Sequence, residues 1–370
     1  MFLKSAMYID LSHTETEQND YEKLVRAICD KPLYKKPALG STPSFLLDDS
    51  KPQVKTTNKF NEFKNAAIQQ RPHANGAERQ YLALLLASLP DFRVTDGTDA
   101  FDDAIVRSIN DLKEYRDQFL EFIEIKCVYG GDNVDFEKVF EFFEELGAFF
   151  GPPAGVSTHN EYWSENYRFF AWELFLYLIA ALKKNGRLSV LAMFLEESYH
   201  IRGNDRGQPR VERYEFFAQY CPGIDEHRNA RLQLKKVCLT GAMLRDRADS
   251  ALVSFEELLE IDFVLCLRHI IHEREEWSAN WFPRSLVYVS RWSHHPFRMF
   301  TKAVSPRHQG LVCSLLGVAS LKQLISLYDI AEAKGSFDGY RFNSSFGKVP
   351  FRGLVNYEGL RAVAAGETSK

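Results

Sequence analysis

Residues 169–182 read FFAWELFLYLIAAL and form the longest apolar run in the chain. A helix that is hydrophobic on every side is typical of the buried centre of a domain. The run contains Glu173 and is shorter than the ~20 residues that a helix needs to cross a bilayer. We therefore predict a core helix over about residues 161–184, in a protein that has no membrane partner and is cytoplasmic.

Glu173 is the one ionisable residue inside this run. A carboxylate in an apolar environment needs a partner, because burying an unpaired charge is costly. We expect Arg168, Arg187 or an arginine more distant in sequence to pair with it. A buried ion pair explains this residue better than a catalytic role does.

Apolar residues at spacings of three and four continue on both sides of the core run, and this spacing predicts helices. The chain therefore reads as mainly α, with one large multi-helix domain over residues 79–370. Residues after 335 carry scattered Gly and Phe and read as irregular. Beyond the core run, we predict helices near residues 79–89, 101–122, 134–150, 188–199, 211–220, 225–244, 254–276, 297–303, 306–316 and 320–334.

The composition excludes several classes of protein. A net charge of −4 gives no global attraction to nucleic acid, so a nucleic-acid partner has no support from charge. The six Cys are widely scattered and include no CxxC pair, which indicates reduced thiols and neither a disulfide framework nor a structural zinc site. With 14% aromatic residues, a chain of this length can bury a large core without such links.

The first 48 residues have a different character. Residues 6–11 (AMYIDL) suit a buried strand, and apolar residues at helical spacing predict a helix over 20–29. One strand and one helix cannot make a core of their own, so this segment reads as a remnant βα unit of an open α/β sheet. The polar stretch 49–78 reads as a linker, with one helical turn near 58–69.

A family resemblance rests on this N-terminal segment. The strand ending at residues 9–11 (IDL), the helix at 21–28 (YEKLVRAI) and the stretch 32–40 (PLYKKPALG) before 43–46 (PSFL) resemble the C-terminal end of bacterial TIR domains. The resemblance covers residues 1–46. A generic βα arm packed on a helical body is the competing interpretation.

The resemblance implies an antiviral defence protein whose intact form hydrolyses NAD+. In that family the catalytic glutamate and the loops of the early strands precede the terminal βα unit. We therefore expect this chain to lack the catalytic part, and we assign it no catalytic residue or cofactor. We also expect that it does not cleave NAD+. Region 79–370 would then be the sensing or oligomerisation region of a TIR-type protein. Its expected partners are further copies of itself, or a trigger that is a protein or a nucleotide.

Two other functions stay open. One is a stand-alone metal- or nucleotide-dependent hydrolase, for which His269, His272, His294 and His295 would have to converge in space. Their spacing matches no standard zinc motif, so we assign no metal ligand. The other is a purely structural scaffold.

The candidate ligand-binding stretch is a set of arginines interleaved with aromatic residues near residues 281–300. Guanidinium groups suit phosphates and stack on aromatic rings, and loops on a rigid bundle often present binding groups. We expect the arginines to be at least partly exposed; the alternative is that the tryptophans are core and the arginines only reach water. The candidate residues are Trp281, Arg284, Arg291, Trp292 and Arg298.

Overall fold

The structure is a computed structural model that describes residues 17–29, 54–95, 100–131, 134–152, 160–202, 210–272, 280–288, 295–341 and 348–366. Contacts divide the chain into two compact units, Met1–Gln53 and Val54–Lys370. In the first unit, helix α1 spans Glu17–Ile28, which confirms the helix predicted at 20–29. The strand predicted at 6–11 and the proline-rich stretch 32–46 lie outside the described residues.

The second unit is mainly helical, which confirms the predicted fold class. A single two-stranded antiparallel sheet of β1 (Tyr199–Ile201) and β2 (Arg210–Glu212) is present in the described part of the chain, with Tyr199 opposite Glu212. The helices are α2 (Thr57–Ile68), α3 (Ala74–Ser88), α4 (Phe101–Asp111), α5 (Lys113–Tyr129), α6 (Glu137–Gly147), α7 (Glu165–Lys184), α8 (Leu188–Glu196), α9 (Leu239–Arg247), α10 (Phe255–Ile271), α11 (Arg298–Lys302), α12 (Pro306–Leu316), α13 (Leu321–Ala333), α14 (Phe351–Leu354) and α15 (Tyr357–Ala364).

The compact helical unit begins earlier than the sequence suggested. Val54 is its first residue, so residues 54–78, which we assigned to a linker, belong to it. Helix α2 buries Phe60, Phe63 and Ala66 and packs against α3 and α5. The three apolar residues repeat every third position, a short stripe that the surrounding polar residues obscure.

Helix α7 is the centre of the unit, as its all-apolar run predicted. Every side chain from Phe169 to Leu182 is buried, and the helix packs against α4, α5, α8 and α10. A short 3-10 turn at Glu161–Ser164 precedes it, so the predicted range 161–184 covers both elements. Of the described helices, none is by itself long and apolar enough to cross a bilayer. Helices α12 and α13 taken together have the length and composition of a membrane span, but there is a 46° bend between them.

Glu173 lies inside a buried cluster of charges. Arg247 binds it through both carboxylate oxygens, with Nε to Oε1 at 3.0 Å and the terminal nitrogen to Oε2 at 2.9 Å. Arg116 donates to Oε1 at 3.1 Å. Burial raises the pKa of Glu173, but the two arginines outweigh it and hold that pKa below its ordinary value. The expected pairing is therefore present, with partners far away in sequence in place of Arg168 or Arg187.

The predicted helix at 225–244 is the clearest difference between sequence and structure. A π-helical turn, Gly223–Arg228, and one helical turn, Asn229–Arg231, precede a loop, and α9 begins only at Leu239. Gln233 and Lys235 in that loop are left-handed, with φ of 50° and 52°, which no α-helix accommodates. The helix predicted at 211–220 is likewise absent, and β2 and the 3-10 turn Tyr214–Ala218 stand in its place. The region after residue 335, which we predicted to be irregular, contains helices α14 and α15.

Candidate anion-binding cavity

A cavity of about 630 Å³ opens beside the first turn of α7. Its volume is in the range of small-molecule binding sites. Five separate segments of the helical unit contribute to the walls, so no single sequence motif could mark it. The lining residues are Arg168, Ala218, Gln219, Tyr220, Asp225, Val237, Cys238, Asn280, Phe282, Arg284 and Arg341.

The segment that carries Arg284 is fixed to the core on both sides of that residue. Asp262, fully buried on α10, accepts hydrogen bonds from the indole Nε1 of Trp281 at 2.8 Å and from Ser285, through its backbone N–H at 2.9 Å and its hydroxyl at 2.7 Å. Residues 281 and 285 are thus held by one carboxylate. The backbone between them has little freedom to move Arg284 away from the cavity.

The Arg284 guanidinium is buried with carbonyl partners. Only 2% of Arg284 is exposed. Its guanidinium group donates hydrogen bonds to the backbone carbonyls of Ala218, at 2.6 Å, and of Gln219. The same group lies 4.7 Å from the ring centre of Trp172. Within the described part of the chain, no carboxylate oxygen comes within 4.0 Å of it. Buried charges are normally paired, so a guanidinium at a cavity wall without a carboxylate is a ready partner for an anion.

Two further arginines line the same cavity. Arg168, on the first turn of α7, is half-buried, and its Nε is a buried donor without a hydrogen-bond acceptor among the described residues. Arg341 is exposed and donates to the carbonyl of Asp338. A buried N–H without an acceptor costs free energy, which a bound anion or water would recover.

Asp225 is the one carboxylate among the described lining residues, and it is already occupied. Asp225 accepts hydrogen bonds from the backbone N–H groups of Leu239 at 2.6 Å and Thr240 at 2.8 Å, and from the Thr240 hydroxyl at 2.7 Å. These contacts satisfy the first N–H groups of α9, the usual work of a capping side chain. Among the described residues, three arginines therefore line the cavity against one carboxylate that is committed elsewhere, and this lining favours anions.

Glu165 lies next to this wall, at the start of α7. It is fully buried, and its two oxygens accept the backbone N–H groups of Gly223 at 2.7 Å and Ile224 at 3.0 Å. A Cβ at position 223 would stand 3.0 Å from both carboxylate oxygens, closer than an ordinary van der Waals contact, so glycine suits this close approach. Burial raises the pKa of Glu165 to about 7, although the two N–H groups and Arg168 oppose the shift.

The ligand-binding residues predicted from the sequence do not form one site in the structure. Arg284 lines the cavity, but it is buried, in contrast to the expected exposure. Trp281 is 0% exposed and belongs to the core. Arg298 is exposed at the start of α11 and is not in the cavity lining, and Arg291 and Trp292 lie outside the described residues.

The histidines proposed for a metal site have separate protein partners where they are described. His269 lies between Glu215, at 3.2 Å, and Asn280, at 3.1 Å. His272 is 2.7 Å from the carbonyl of Leu316, His295 is exposed, and His294 lies outside the described residues. Among the residues that the structure describes, no group of three or more His, Cys, Asp or Glu side chains is placed to hold a metal ion.

Sequence reasoning missed Arg168, Tyr220, Asp225 and Arg341 as a group. They come from distant parts of the chain, and their segments meet only in the folded unit. The one available signal was Arg168, an arginine directly before an apolar helix, which we considered only as a partner of Glu173. No protein-family model, curated protein or solved structure matches this chain.

Proposed function

We propose that the helical unit Val54–Lys370 is a sensor that binds a small anionic ligand in this cavity. One observation carries the proposal: among the residues that the structure describes, three arginines line the cavity, and the one carboxylate in the lining is used to cap α9. Arginine forks match the oxygens of phosphates and carboxylates, and the low polarity around Arg284 strengthens such contacts.

We further propose that this sensor serves a TIR-type antiviral defence protein whose intact form hydrolyses NAD+. The support for this second part is the sequence of residues 1–46, in particular the stretch 32–40. In that arrangement the ligand in the cavity is the trigger, and its binding changes the activity of the TIR effector. The hydrolase alternative has no comparable support, since His269 and His272 are each held by separate protein partners.

Binding of inorganic pyrophosphate, followed as a shift in the thermal unfolding temperature, tests the sensor proposal. A ligand that binds only the folded chain raises that temperature, and the rise grows with the logarithm of the ligand concentration divided by Kd. Changing Arg168 to methionine keeps an unbranched apolar stem and removes the charged guanidinium group. We expect a loss of affinity of roughly tenfold to a hundredfold, because a hydrogen bond to a charged group contributes about 1.5–3 kcal/mol.

The matched control is Arg79→Met, which removes an exposed arginine from α3 that is not in the cavity lining. Its affinity for pyrophosphate should equal that of the unchanged protein. Equal affinities for the Arg168→Met variant and this control would contradict the proposal. So would the absence of any shift with the unchanged protein at millimolar pyrophosphate.

A further inference from the structure

We infer, on the basis of the proposed function, that the ligand is an organic phosphate with a planar ring, of the nucleotide class. The cavity has two chemically different parts in its lining: guanidinium groups from Arg168, Arg284 and Arg341, and the aromatic rings of Tyr220 and Phe282. A simple anion would use the first part alone.

Two aromatic residues, Tyr220 and Phe282, form the aromatic part of the lining. Phe282 is half-buried and stacks on Tyr340, with ring centres 6.1 Å apart and planes within 11°. Tyr340 in turn packs edge-on against Phe351, so the stack is anchored in the core. Tyr220 is 51% exposed although its ring is large, and its hydroxyl is held by Glu226 at 3.1 Å. Exposed aromatic rings beside a cavity are favourable surfaces for a base to stack on.

A polar group in the lining suits the edge of such a ring. The Asn280 side-chain oxygen is directed at the Nε2 atom of His269, 3.1 Å away. The amide nitrogen keeps two N–H donors. A heterocyclic base offers acceptor nitrogens and oxygens in its ring plane, which a bare phosphate does not.

The volume of the cavity and the charge of its lining also agree with a ligand of the nucleotide class. About 630 Å³ is the volume of a site for a drug-sized molecule, so a phosphate or pyrophosphate would leave most of it to water. A phosphate monoester carries close to two negative charges at neutral pH, which matches the excess of arginines over free carboxylates among the described lining residues. Ring and phosphate together satisfy both parts of the cavity.

The test is isothermal titration of the full chain with ADP, GDP, CDP and UDP, each compared with pyrophosphate and with its own nucleoside. We expect at least one nucleoside diphosphate to bind at least tenfold more tightly than both of its parts. Replacing Tyr220 with leucine should then weaken that nucleotide about fivefold or more and leave pyrophosphate unchanged, because stacking of one base contributes about 1–3 kcal/mol. Phe282→Leu provides a second variant on the other ring.

Tyr129→Leu is the matched control, since Tyr129 is also exposed, at 41%, and is not in the cavity lining. If pyrophosphate binds as tightly as every nucleotide, or if Tyr220→Leu weakens both equally, the ring inference is overturned while the anion site stands. If neither pyrophosphate nor any nucleotide binds the unchanged chain, the proposed function itself fails.

Discussion

Replacing Glu173 with glutamine should lower the free energy of unfolding of the helical unit by about 3–5 kcal/mol. Glu173 and Arg116 are fully buried and Arg247 nearly so. The substitution leaves two guanidinium groups in the core with a neutral amide in place of the carboxylate. Breaking a buried ion pair from one side is costly because the remaining charge has lost its partner and gains no water.

Urea denaturation followed by circular dichroism measures this loss. The matched control is Glu141→Gln, which breaks the exposed pair of Glu141 with Lys138 and should change stability by at most about 1 kcal/mol. A third variant that replaces Glu173, Arg116 and Arg247 together with apolar residues should recover much of the loss, since it leaves no unpaired charge in the core. Asp117 and Asp249, the other acidic partners of Arg116, are 40% and 55% exposed and stay in contact with water. If Glu173→Gln lowers the free energy of unfolding by less than about 1 kcal/mol, water must reach the charges of this cluster, and the account of a buried ion pair would be contradicted.

The second large effect is a dependence of stability on pH that arises from Glu165. Its pKa in the folded protein is about 7, above the ordinary value of 4.5. Between these two values the folded state holds a proton that the unfolded chain has released. Stability must therefore fall as pH rises through this window and become flat above it, by up to about 3 kcal/mol in total.

Glu165→Gln removes this proton-linked loss. The stability of the variant relative to the unchanged protein should rise by up to about 3 kcal/mol between pH 4.5 and pH 8. Glu161→Gln, on the exposed side of the preceding 3-10 turn, should show no such change. A constant difference between Glu165→Gln and the unchanged protein over this range would contradict the assignment.

The sequence predicts those features of the fold that depend on local apolar patterns. The run at 169–182 has one interpretation, a buried helix, because no face of it is polar. Ser254 and Glu257, which form a capping box at the start of α10, also agree with the helix predicted from residue 254. Local patterns of this kind depend on neighbours within one or two turns, and so they can be recognised in a single chain.

Long-range side-chain contacts account for what the sequence does not predict. Asp225 was expected inside a helix, yet its carboxylate caps α9 fourteen residues later, and the intervening chain turns through left-handed residues. The β1–β2 hairpin is only three residues long on each strand, too short for an alternating pattern to stand out.

In the candidate site, too, local sequence patterns could be recognised and long-range contacts could not. Arg284 was predicted because arginines and aromatic residues alternate near it in sequence. Its actual setting, over Trp172 and against the carbonyls of Ala218 and Gln219, depends on residues more than 60 positions away. Trp281 carries the same sequence signal as Arg284 but is used to fix the backbone through Asp262.

An anion bound between Arg168 and Arg284 is the central feature of the proposed sensor. A crystal of this protein soaked in tungstate, a heavy phosphate analogue, tests it by anomalous scattering from the tungsten atom. We predict an anomalous peak inside the cavity, with tungstate oxygens in hydrogen-bond contact with the Arg168 and Arg284 guanidinium groups, and its disappearance in crystals of Arg168→Met. An empty cavity in crystals that bind tungstate elsewhere would contradict the binding of an anion there.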